Sequence, residues 1–436
     1  MIRRLDARAG GLEAVVAALD RPPAAVAPEV AAAVESILAD VRARGDTALL
    51  ELSARFDGWA PPSAAGLAIA PEEFTAAGES LDGGTRAALA YAAERIERYH
   101  AAAMPKSWRI TDEHGSVLGQ EIRALDRVGI YIPGGRAAYP STVLMTAVPA
   151  RVAGVREIVL VTPPGADGRV PPAVLAAALL AGVTEGYRVG GAHAVAALAY
   201  GTRTIARVDK IVGPGNVYVA LAKGRVFGDV GVDMIAGPSE VVVVADAGAD
   251  AECAAADLIA QAEHDPMARA VLITDSPALL PRVEGALGRQ LERLPRRAIA
   301  EASLSANGAL VLVGSLEEGV DLANRLAPEH LELLVAVPAA LLPRVRHAGA
   351  VFLGAQTPEV VGDYVAGPSH VLPTAGTARF SSPLGTEDFV TRASVIDYSL
   401  AGLRAAAPHL RALMRVEGLA GHGTAAEVRL QDGGQP

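Results

Sequence analysis

The chain has 436 residues, a formal net charge of −10 at pH 7, and an apolar fraction of 51% in which aromatic side chains are scarce. This length accommodates two or three domains, and an acidic chain without a cluster of Lys and Arg excludes a general affinity for nucleic acid. The single cysteine, Cys253, excludes an internal disulfide and a cysteine-based zinc knuckle, so any metal must take N and O ligands.

The N-terminal segment, residues 1–26, is predicted to be helical. It has two arginines but no uninterrupted apolar stretch, so it resembles neither a signal peptide nor a membrane span. We therefore expect a cytoplasmic protein with no membrane partner. Residues 28–57 and 84–103 are also helical by pattern, and we expect them to lie against the second of the two sheets described next.

Short buried strands alternate with helices between residues 126 and 237. Each strand ends in Gly or Pro, and the predicted strands are 127–133, 156–163, 186–191 and 208–215. Helical patterns fill the intervals at 141–155, 171–183 and 192–202. Repeated β-α units of this length predict a doubly wound parallel sheet, so 126–237 is predicted to be a Rossmann-like domain.

A second α/β series follows in the chain. Its predicted strands are 239–246, 268–275, 308–315, 330–337 and 349–355. Residues 27–125 and 238–378 together are predicted to form the other Rossmann-like domain. From about 384 onward the strand patterns stop, and 379–436 is predicted to be a small helical domain. Its apolar face needs a partner, either the body of the chain or another subunit.

Two Rossmann-like sheets suggest a nucleotide, but no candidate strand is followed by the G-x-G-x-x-G fingerprint. The nearest substitutes are "IPGGR" (132–136) and "GPGN" (213–216), where glycines would let backbone amides approach a phosphate. Taken alone, the same glycines favour tight turns between strand and helix over phosphate binding, because Gly is the default turn residue. The sheet topology alone does not name the cofactor.

A metal site is one interpretation of four polar positions. Gln261 and His264 are three residues apart at the end of an apolar helix, a spacing that places both on one face. Asp363 follows the last strand of the second series, in a loop predicted at the carboxyl edge of the sheet, and His422 lies in a glycine-flanked turn with Glu417 nearby. The alternative is a polar helix end, a capping Asp and a solvated His.

The stretch "APEHLEL" (327–333) is the strongest candidate for acid-base chemistry. Pro328 discourages helix at the residue before it, so Glu329 and His330 are predicted to stand side by side at the entry to a strand. There the imidazole can take a proton near neutral pH while the carboxylate activates a water. A surface Glu-His pair is the alternative. Cys253, flanked by Ala, is predicted to be an inert core residue.

These motifs together resemble histidinol dehydrogenases. The blocks that carry the resemblance span nearly the whole chain: "GIYIPGGRAAYPSTVLM", "KIVGPGNVYVALAK", "VDMIAGPSEVVVVAD", "QAEHDP", "APEHLEL", "GDYVAGPSHVLPTAGTARFSSPLG" and "EGLAGHG". Enzymes of that family oxidise L-histidinol to L-histidine in two NAD-dependent steps through a bound aldehyde. They are zinc-containing homodimers.

Position by position, the resemblance implies roles for eleven residues. Zinc is held by Gln261, His264, Asp363 and His422, the last supplied by the partner subunit. Glu329 and His330 are the catalytic pair. Substrate contacts are expected from Ser239 and Glu417 together with His330 and the zinc ligands, and NAD contacts from Tyr131, Asn216 and His193.

Two positions depart from the family pattern. His193 stands where the family usually has Gln, which changes the reach and charge of an expected NAD contact, and Ser369 stands where Asn is common. Two other functions stay open. One is a related zinc and NAD dehydrogenase of another small polar alcohol, and the other is an NAD-sensing, metal-holding protein without turnover. The presence of Glu417 and Ser239 favours histidinol, and the Glu329–His330 pair favours an enzyme.

Overall fold

The computed structural model describes residues 2–19, 27–134, 138–183, 185–235 and 237–431. Within these ranges the strands are, in chain order, β1 (Arg3–Asp6), β2 (Trp108–Thr111), β3 (Val117–Ala124), β4 (Arg127–Tyr131), β5 (Glu157–Thr162), β6 (Glu185–Arg188), β7 (Lys210–Val212), β8 (Gly231–Val232), β9 (Glu240–Ala245), β10 (Arg269–Thr274), β11 (Ala309–Leu312), β12 (His330–Leu334), β13 (Ala350–Leu353) and β14 (Val390–Asp397).

The α-helices of the same ranges connect these strands and form the C-terminal end of the described chain. They are α1 (Ala7–Gly10), α2 (Leu12–Leu19), α3 (Pro28–Arg44), α4 (Asp46–Leu52), α5 (Pro71–Ser80), α6 (Gly83–Ala103), α7 (Pro140–Ala153), α8 (Pro172–Leu180), α9 (Gly191–Tyr200), α10 (Val217–Val226), α11 (Ala251–Ala262), α12 (Leu279–Leu291), α13 (Arg297–Asn307), α14 (Leu316–Leu326), α15 (Pro338–Leu341), α16 (Glu359–Tyr364), α17 (Leu400–Glu417) and α18 (Ala420–Gln431).

Two parallel sheets confirm the predicted fold class. The five-stranded sheet has the order β6-β5-β4-β7-β8, and the six-stranded sheet has the order β1-β11-β10-β9-β12-β13. In each sheet the chain proceeds outward on one side of the first long strand and then returns to the other side, which is the doubly wound arrangement. The buried runs of Val, Ile and Leu on these strands are covered by helices on both faces, as parallel sheets require.

The prediction for the first residues was wrong in one respect. Residues 3–6 form β1, which pairs in parallel with β11 so that Arg3 lies opposite Ala309, and helices begin only at Ala7. β1 is an edge strand with mostly exposed side chains, so its sequence, "RRLD", has no apolar alternation by which it could be recognised.

The expectation that residues 28–57 and 84–103 lie against the second sheet was also wrong. The buried face of α3, with Val34, Ile37 and Val41, packs in one core with helix α9 and strand β5 of the five-stranded sheet. Helix α6 packs against α7, which connects β4 and β5 of the five-stranded sheet. Helical periodicity predicts that one face is buried, but it contains no information about which sheet buries it.

A smaller compact unit comprises the described residues of Met104–Ala124 and Val390–Pro436, whereas Met1–Ala103 and Leu125–Phe389 form the larger one. The small unit contains a three-stranded antiparallel sheet, β14-β3-β2, and the helices α17 and α18. The expectation that strands stop near 384 was therefore wrong, because β14 (390–397) pairs with β3 along its whole length. Its side chains are mostly exposed, so it has no apolar alternation. The other domain boundaries stay predictions.

Within the larger unit, His100 gives a prediction for stability at acid pH. Its side chain is buried on α6, no described residue hydrogen-bonds either ring nitrogen, and burial lowers its pKa to about 4. Because the unfolded chain binds this proton below about pH 6.5 and the folded chain resists it, the free energy of unfolding should fall between about pH 6.5 and 4, by on the order of 2 kcal/mol.

Urea unfolding of the wild type and of His100→Leu across this pH range measures the effect. The variant should lose the part of the pH dependence that comes from this imidazole. His409→Leu, at an exposed position, should behave as the wild type. Parallel pH profiles for His100→Leu and the wild type would contradict the assignment.

Candidate active site

The candidate active site lies at the amino-terminal edge of the six-stranded sheet. Glu240 and His330 begin the neighbouring strands β9 and β12, in a register that pairs His330 with Val241. Gln261 lies in the last turn of α11, and Asp363 lies in α16, within 4.8 Å of His330 measured between their potential metal-ligating atoms. The prediction that Asp363 occupies a loop at the carboxyl edge was wrong. Residues 354–358 and α16 return the chain to the opposite edge.

His330 is a buried imidazole with a defined proton position. Its Nδ1 lies 3.3 Å from the backbone carbonyl oxygen of Glu240 and 3.4 Å from Glu359 Oε1. Since both neighbours are acceptors, Nδ1 is the donor and Nε2 keeps the lone pair. Burial, together with the nearby charges of His264 and His370, lowers the pKa of His330 to about 3. The ring is therefore unprotonated at neutral pH and can accept a proton at Nε2.

Glu329 is buried beside this imidazole. Its Oε2 accepts a hydrogen bond from the backbone N–H of Glu240 (2.9 Å) and lies 3.8 Å from His330 Nδ1. Burial raises the pKa of Glu329 well above its usual value, and the charges of Glu240 and Asp363 raise it further. A carboxylate with a raised pKa is a stronger base, which suits the activation of water.

Glu240 fixes the position of the strand edge that carries this pair. Its carboxylate forms a buried ion pair with Arg269 (2.6 Å) and accepts a hydrogen bond from the backbone N–H of Ala375 (2.7 Å). Its own N–H and carbonyl oxygen contact Glu329 and His330, as described above. The first residue of β9 therefore sets the orientation of both members of the catalytic pair.

Glu359 is a site residue that the sequence analysis missed. The Glu359 side chain is 3% exposed. Because both of its carboxylate oxygens are acceptors, the amide nitrogen of Gln261 faces them and donates to Oε1 (2.7 Å) and Oε2 (3.2 Å). This leaves the amide oxygen of Gln261 free to act as a ligand. One signal was available in the sequence, because Glu359 is four residues before Asp363 and a helix places such residues on one face.

The carboxyl groups of the site lie close enough to repel one another when they are ionised. Burial raises the pKa of Glu359 well above its usual value, and the charges of Asp363, Glu332 and Glu329 raise it further. Burial also raises the pKa of Asp363 to about 6. His330, Glu359 and Asp363 present potential ligand atoms within 4.8 Å of one another. A divalent cation would relieve this repulsion, so the carboxylate, imidazole and amide donors fit a borderline metal ion such as Zn²⁺.

Two further predicted residues lie at the same edge. Ser239 immediately precedes β9, and its carbonyl oxygen accepts a hydrogen bond from the backbone N–H of Arg269 (3.0 Å). His264 lies beyond the end of α11, in an exposed turn, and its charge is close enough to lower the pKa of His330. The helix ends at Ala262, but Glu263 keeps right-handed helical backbone and the N–H of His264 donates to the carbonyl oxygen of Gln261 (3.3 Å). The shared face of Gln261 and His264 stays a prediction. The roles of both residues stay predictions.

Glu417 and His422 belong to the small unit and are exposed. Glu417 ends α17, Gly418 follows it with left-handed backbone (φ 72°), and His422 lies in α18. The expectation that His422 lies in a turn was wrong, since α18 begins at Ala420. The part of these residues in a metal or substrate site stays a prediction.

The expected cofactor residues lie at the carboxyl edge of the five-stranded sheet. The winding direction changes between β4 and β7, which is where such sheets bind nucleotides. Tyr131 ends β4, and "GPGN" follows β7. At Gly213 (φ 109°) a Cβ would lie 2.2 Å from the carbonyl oxygen of Tyr131, so only Gly fits this approach. Of the "IPGGR" motif, residues 135 and 136 lie outside the described ranges.

Asn216 and His193 both have structural partners at this edge. Asn216 caps α10, with Oδ1 accepting hydrogen bonds from the N–H groups of Tyr218 (3.0 Å) and Val219 (3.2 Å). His193, in the first turn of α9, is 1% exposed. Contact of either residue with NAD stays a prediction.

Cys253 has the properties of an unreactive thiol. Burial raises its pKa, and the charges of Asp250 and Asp257 raise it further. A raised pKa lowers the thiolate fraction at neutral pH, as expected for an inert thiol. The residue is half-buried and does not lie in the core as predicted.

Among the described residues, no helix combines the length and the apolar character that a membrane span needs.

Comparison with known proteins tests the resemblance. The family model described as histidinol dehydrogenase matches residues 20–430. The histidinol dehydrogenase of Chromobacterium violaceum is 54% identical over 407 residues, covering 93% of each chain. That of Rhodospirillum rubrum is 53% identical over 431 residues, covering 99% of each chain.

A solved structure agrees with the sequence matches. The crystal structure of histidinol dehydrogenase from Elizabethkingia anophelis superposes with a TM-score of 0.94 at 33% identity, covering 99% of this chain and 98% of the other. The resemblance carried by the motifs is therefore confirmed. On both sequence and fold, the chain belongs to the histidinol dehydrogenase family and is an oxidoreductase.

Proposed function

We propose that the protein is a zinc-dependent enzyme that oxidises L-histidinol to L-histidine through bound L-histidinal, with two NAD⁺ as oxidants. The observation that carries this proposal is the buried pair Glu329–His330 beside Asp363, Glu359 and Gln261 at one sheet edge. The family membership supports the substrate. The runner-up is a zinc and NAD dehydrogenase of another small polar alcohol.

Gln261, His264 and Asp363, with His422 of the partner subunit, would hold the zinc. When bound, zinc would bind and orient the amine and imidazole of histidinol. NAD⁺, when bound, would supply the hydride acceptor. The residues of the chain then transfer the protons, bind the substrate and hold its hydroxyl group next to the base, His330 Nε2.

In the first oxidation, His330 Nε2 takes the hydroxyl proton of the alcohol as the carbon loses hydride. In the second, the Glu329 carboxylate takes a proton from a water that adds to the aldehyde, and the proton that His330 holds passes to the former carbonyl oxygen, which gives a hydrate and restores the unprotonated imidazole. His330 Nε2 then takes a hydrate hydroxyl proton as the carbon loses a second hydride, which gives the carboxylic acid. Glu417 is proposed to balance the positive charge of the substrate, and Ser239 to contact it.

We also propose a homodimer with shared active sites. The small unit exposes a set of large apolar side chains that a single chain leaves in water: Trp108, Ile110, Ile396, Tyr398, Leu413, Val416 and Leu419. Apolar surface of this kind is typical of subunit interfaces. Glu417 and His422 lie on the same two helices as Leu413 and Val416, so an interface here would bring them to a neighbouring chain.

Counting NADH per histidinol tests the proposed function. With limiting histidinol and excess NAD⁺, two NADH should form per substrate molecule, and histidine should be the product. One NADH per substrate with accumulation of aldehyde would support a simple alcohol dehydrogenase instead. No NADH would support a binding protein without turnover.

Zinc affinity is expected to depend on Glu359 as well as on the ligands. Glu359→Gln removes the carboxylate that accepts from the Gln261 amide, so zinc affinity should fall by about 10- to 100-fold, the usual cost of losing an orienting partner. Competition with a chromophoric chelator measures it. Glu252→Gln, an exposed carboxylate on the same helix as Gln261, should leave the affinity unchanged. Equal affinities in all three proteins would contradict the prediction.

A further inference from the structure

A π-helical turn places Asp57 at the edge of the proposed cofactor site. Helix α4 continues into the π-helical turn Ser53–Asp57, which ends at Gly58 with left-handed backbone (φ 68°, ψ 18°). A π-helical turn closes its hydrogen bonds one residue later than an α turn, and such turns occur mostly at functional sites. Residues 54–56 of this turn are exposed, whereas the Asp57 side chain is 6% exposed.

The Asp57 carboxylate contacts the start of α9. Its Oδ2 lies 3.0 Å from His193 Nε2 and accepts a hydrogen bond from the backbone N–H of Gly190 (3.3 Å). Because a carboxylate only accepts, Nε2 of His193 is the donor in this contact. In the neutral ring Nδ1 is then the acceptor, so Asp57 determines which hydrogen-bonding face the imidazole offers.

The turn between β6 and α9 is closely packed around this contact. A Cβ at Gly190 would lie 2.6 Å from Pro163 Cβ and 3.0 Å from Asp57 Oδ1, so no larger residue fits there. The next residue, Gly191, donates its backbone N–H to the Tyr131 hydroxyl (3.0 Å). Two successive backbone donors at the start of α9 are therefore held by side chains, one from the end of β4 and one from the π-helical turn.

The residue type at position 193 gives this contact its importance. The family usually has Gln at this position. A Gln amide always offers a donor, its N–H, and an acceptor, its oxygen, so these roles do not depend on a neighbouring group. An imidazole offers one donor and one acceptor, and which nitrogen has which role depends on a neighbour. In this chain that neighbour is Asp57, on a segment more than 130 residues away in sequence.

We propose that Asp57 is a positioning residue of the NAD site, which acts by fixing the tautomer and orientation of His193 at the start of α9. The inference rests on the proposed function, since it requires NAD to bind at this edge of the five-stranded sheet. Asp57 does not touch the reacting atoms, and its effect reaches the cofactor only through His193.

The test compares Asp57→Asn in the wild-type and His193→Gln backgrounds. Asn keeps an oxygen that can accept from Gly190 but can also present an N–H to His193, so the tautomer is no longer fixed. NADH binding, measured by fluorescence titration of the full-length protein, should weaken about tenfold in Asp57→Asn, the scale of one charge-assisted hydrogen bond. The KM for NAD⁺ should rise with it, whereas kcat and zinc content should stay near wild type.

In the His193→Gln background the same Asp57→Asn change should weaken NADH binding by no more than about twofold, because the imidazole that Asp57 orients is gone. Asp46→Asn is the matched control. Asp46 begins α4 on the same segment and accepts a hydrogen bond from the Thr204 hydroxyl (2.8 Å), so this variant should lower the thermal midpoint without changing NADH affinity.

Three results would overturn the inference, and each leads to a different conclusion about Asp57 and the proposed function. If the wild type binds NADH and Asp57→Asn binds it equally well, Asp57 has no positioning role and the proposed function stands. If Asp57→Asn weakens binding equally in both backgrounds, the residue only supports the fold. If the wild type does not bind NADH at all, the cofactor assignment itself falls, and this inference with it.

Discussion

Replacing His330 with Asn is expected to slow NADH formation from histidinol by about 10²- to 10⁴-fold, the usual contribution of a positioned general base. The side-chain amide can still donate to the carbonyl oxygen of Glu240, as Nδ1 does now, so the fold should be kept. It has no basic atom in place of Nε2. Because the same nitrogen is proposed to take a proton in each oxidation, both steps should lose rate.

Separate assays with histidinol and with histidinal, each followed by NADH absorbance, measure the two losses. His370→Asn is an informative comparison, because His370 is half-buried and its ring nitrogens also have partners, which are the backbone oxygen of Asp363 (2.9 Å) and the Thr142 hydroxyl (3.2 Å). We expect a smaller loss for it than for His330→Asn. A His330→Asn enzyme that retained either step at the wild-type rate would exclude His330 as the base of that step.

Replacing Glu329 with Gln should affect the two steps unequally. Gln keeps an oxygen that can accept from the Glu240 N–H, as Oε2 does now, but it cannot take a proton from water. Oxidation of histidinal should therefore slow by about 10²-fold or more, whereas oxidation of histidinol should change only a few-fold. Stopped-flow absorbance resolves the steps, and histidinal should accumulate in the variant.

Glu332→Gln is the matched control for Glu329→Gln. It removes another buried carboxylate three residues along, which accepts from the backbone N–H of Glu359 (3.1 Å). Any loss in this control should be the same in both steps, because Glu332 has no proposed part in proton transfer. Equal losses in both steps for Glu329→Gln itself would count against the activation of water by Glu329.

The sequence predicted the central part of each sheet because buried parallel strands are continuous apolar runs. All nine predicted strands are present, from β4 to β7 and from β9 to β13. The strands that were missed, β1, β2, β3, β8 and β14, are short or have mostly partly exposed or exposed side chains. Such strands form through pairing with a distant segment, and local periodicity contains no information about that pairing.

The candidate site was predictable only in part, for a similar reason. Glu329 and His330 are adjacent in sequence, so their pairing could be inferred directly. Glu359 and Asp57 act through residues about 30 to 140 positions away. Apart from the four-residue spacing between Glu359 and Asp363, nothing in their local sequence points to those contacts. Asp363 was predicted at the wrong edge of the sheet, because the rule for ligand sites in open α/β sheets concerns the carboxyl edge. This site is assembled at the amino edge.

We propose that residues of two subunits build one metal and substrate site. Mixing two inactive variants tests this proposal most directly. Gln261→Ala removes a proposed ligand of the larger unit, and His422→Ala removes the ligand proposed to come from the partner subunit. Each homodimer should bind zinc weakly and be nearly inactive. After subunits of the two variants are exchanged by mild denaturation and refolding, mixed dimers should form.

In a mixed dimer, the His422→Ala chain keeps Gln261 and receives an intact His422 of the partner subunit, so one complete site per dimer is restored. Since half of the dimers in an equal mixture are mixed and each has one of two sites, about a quarter of the wild-type activity and zinc binding should return. If activity stays at the level of the separate variants although mixed dimers have formed, His422 does not complete the site of a neighbouring chain and the account is wrong.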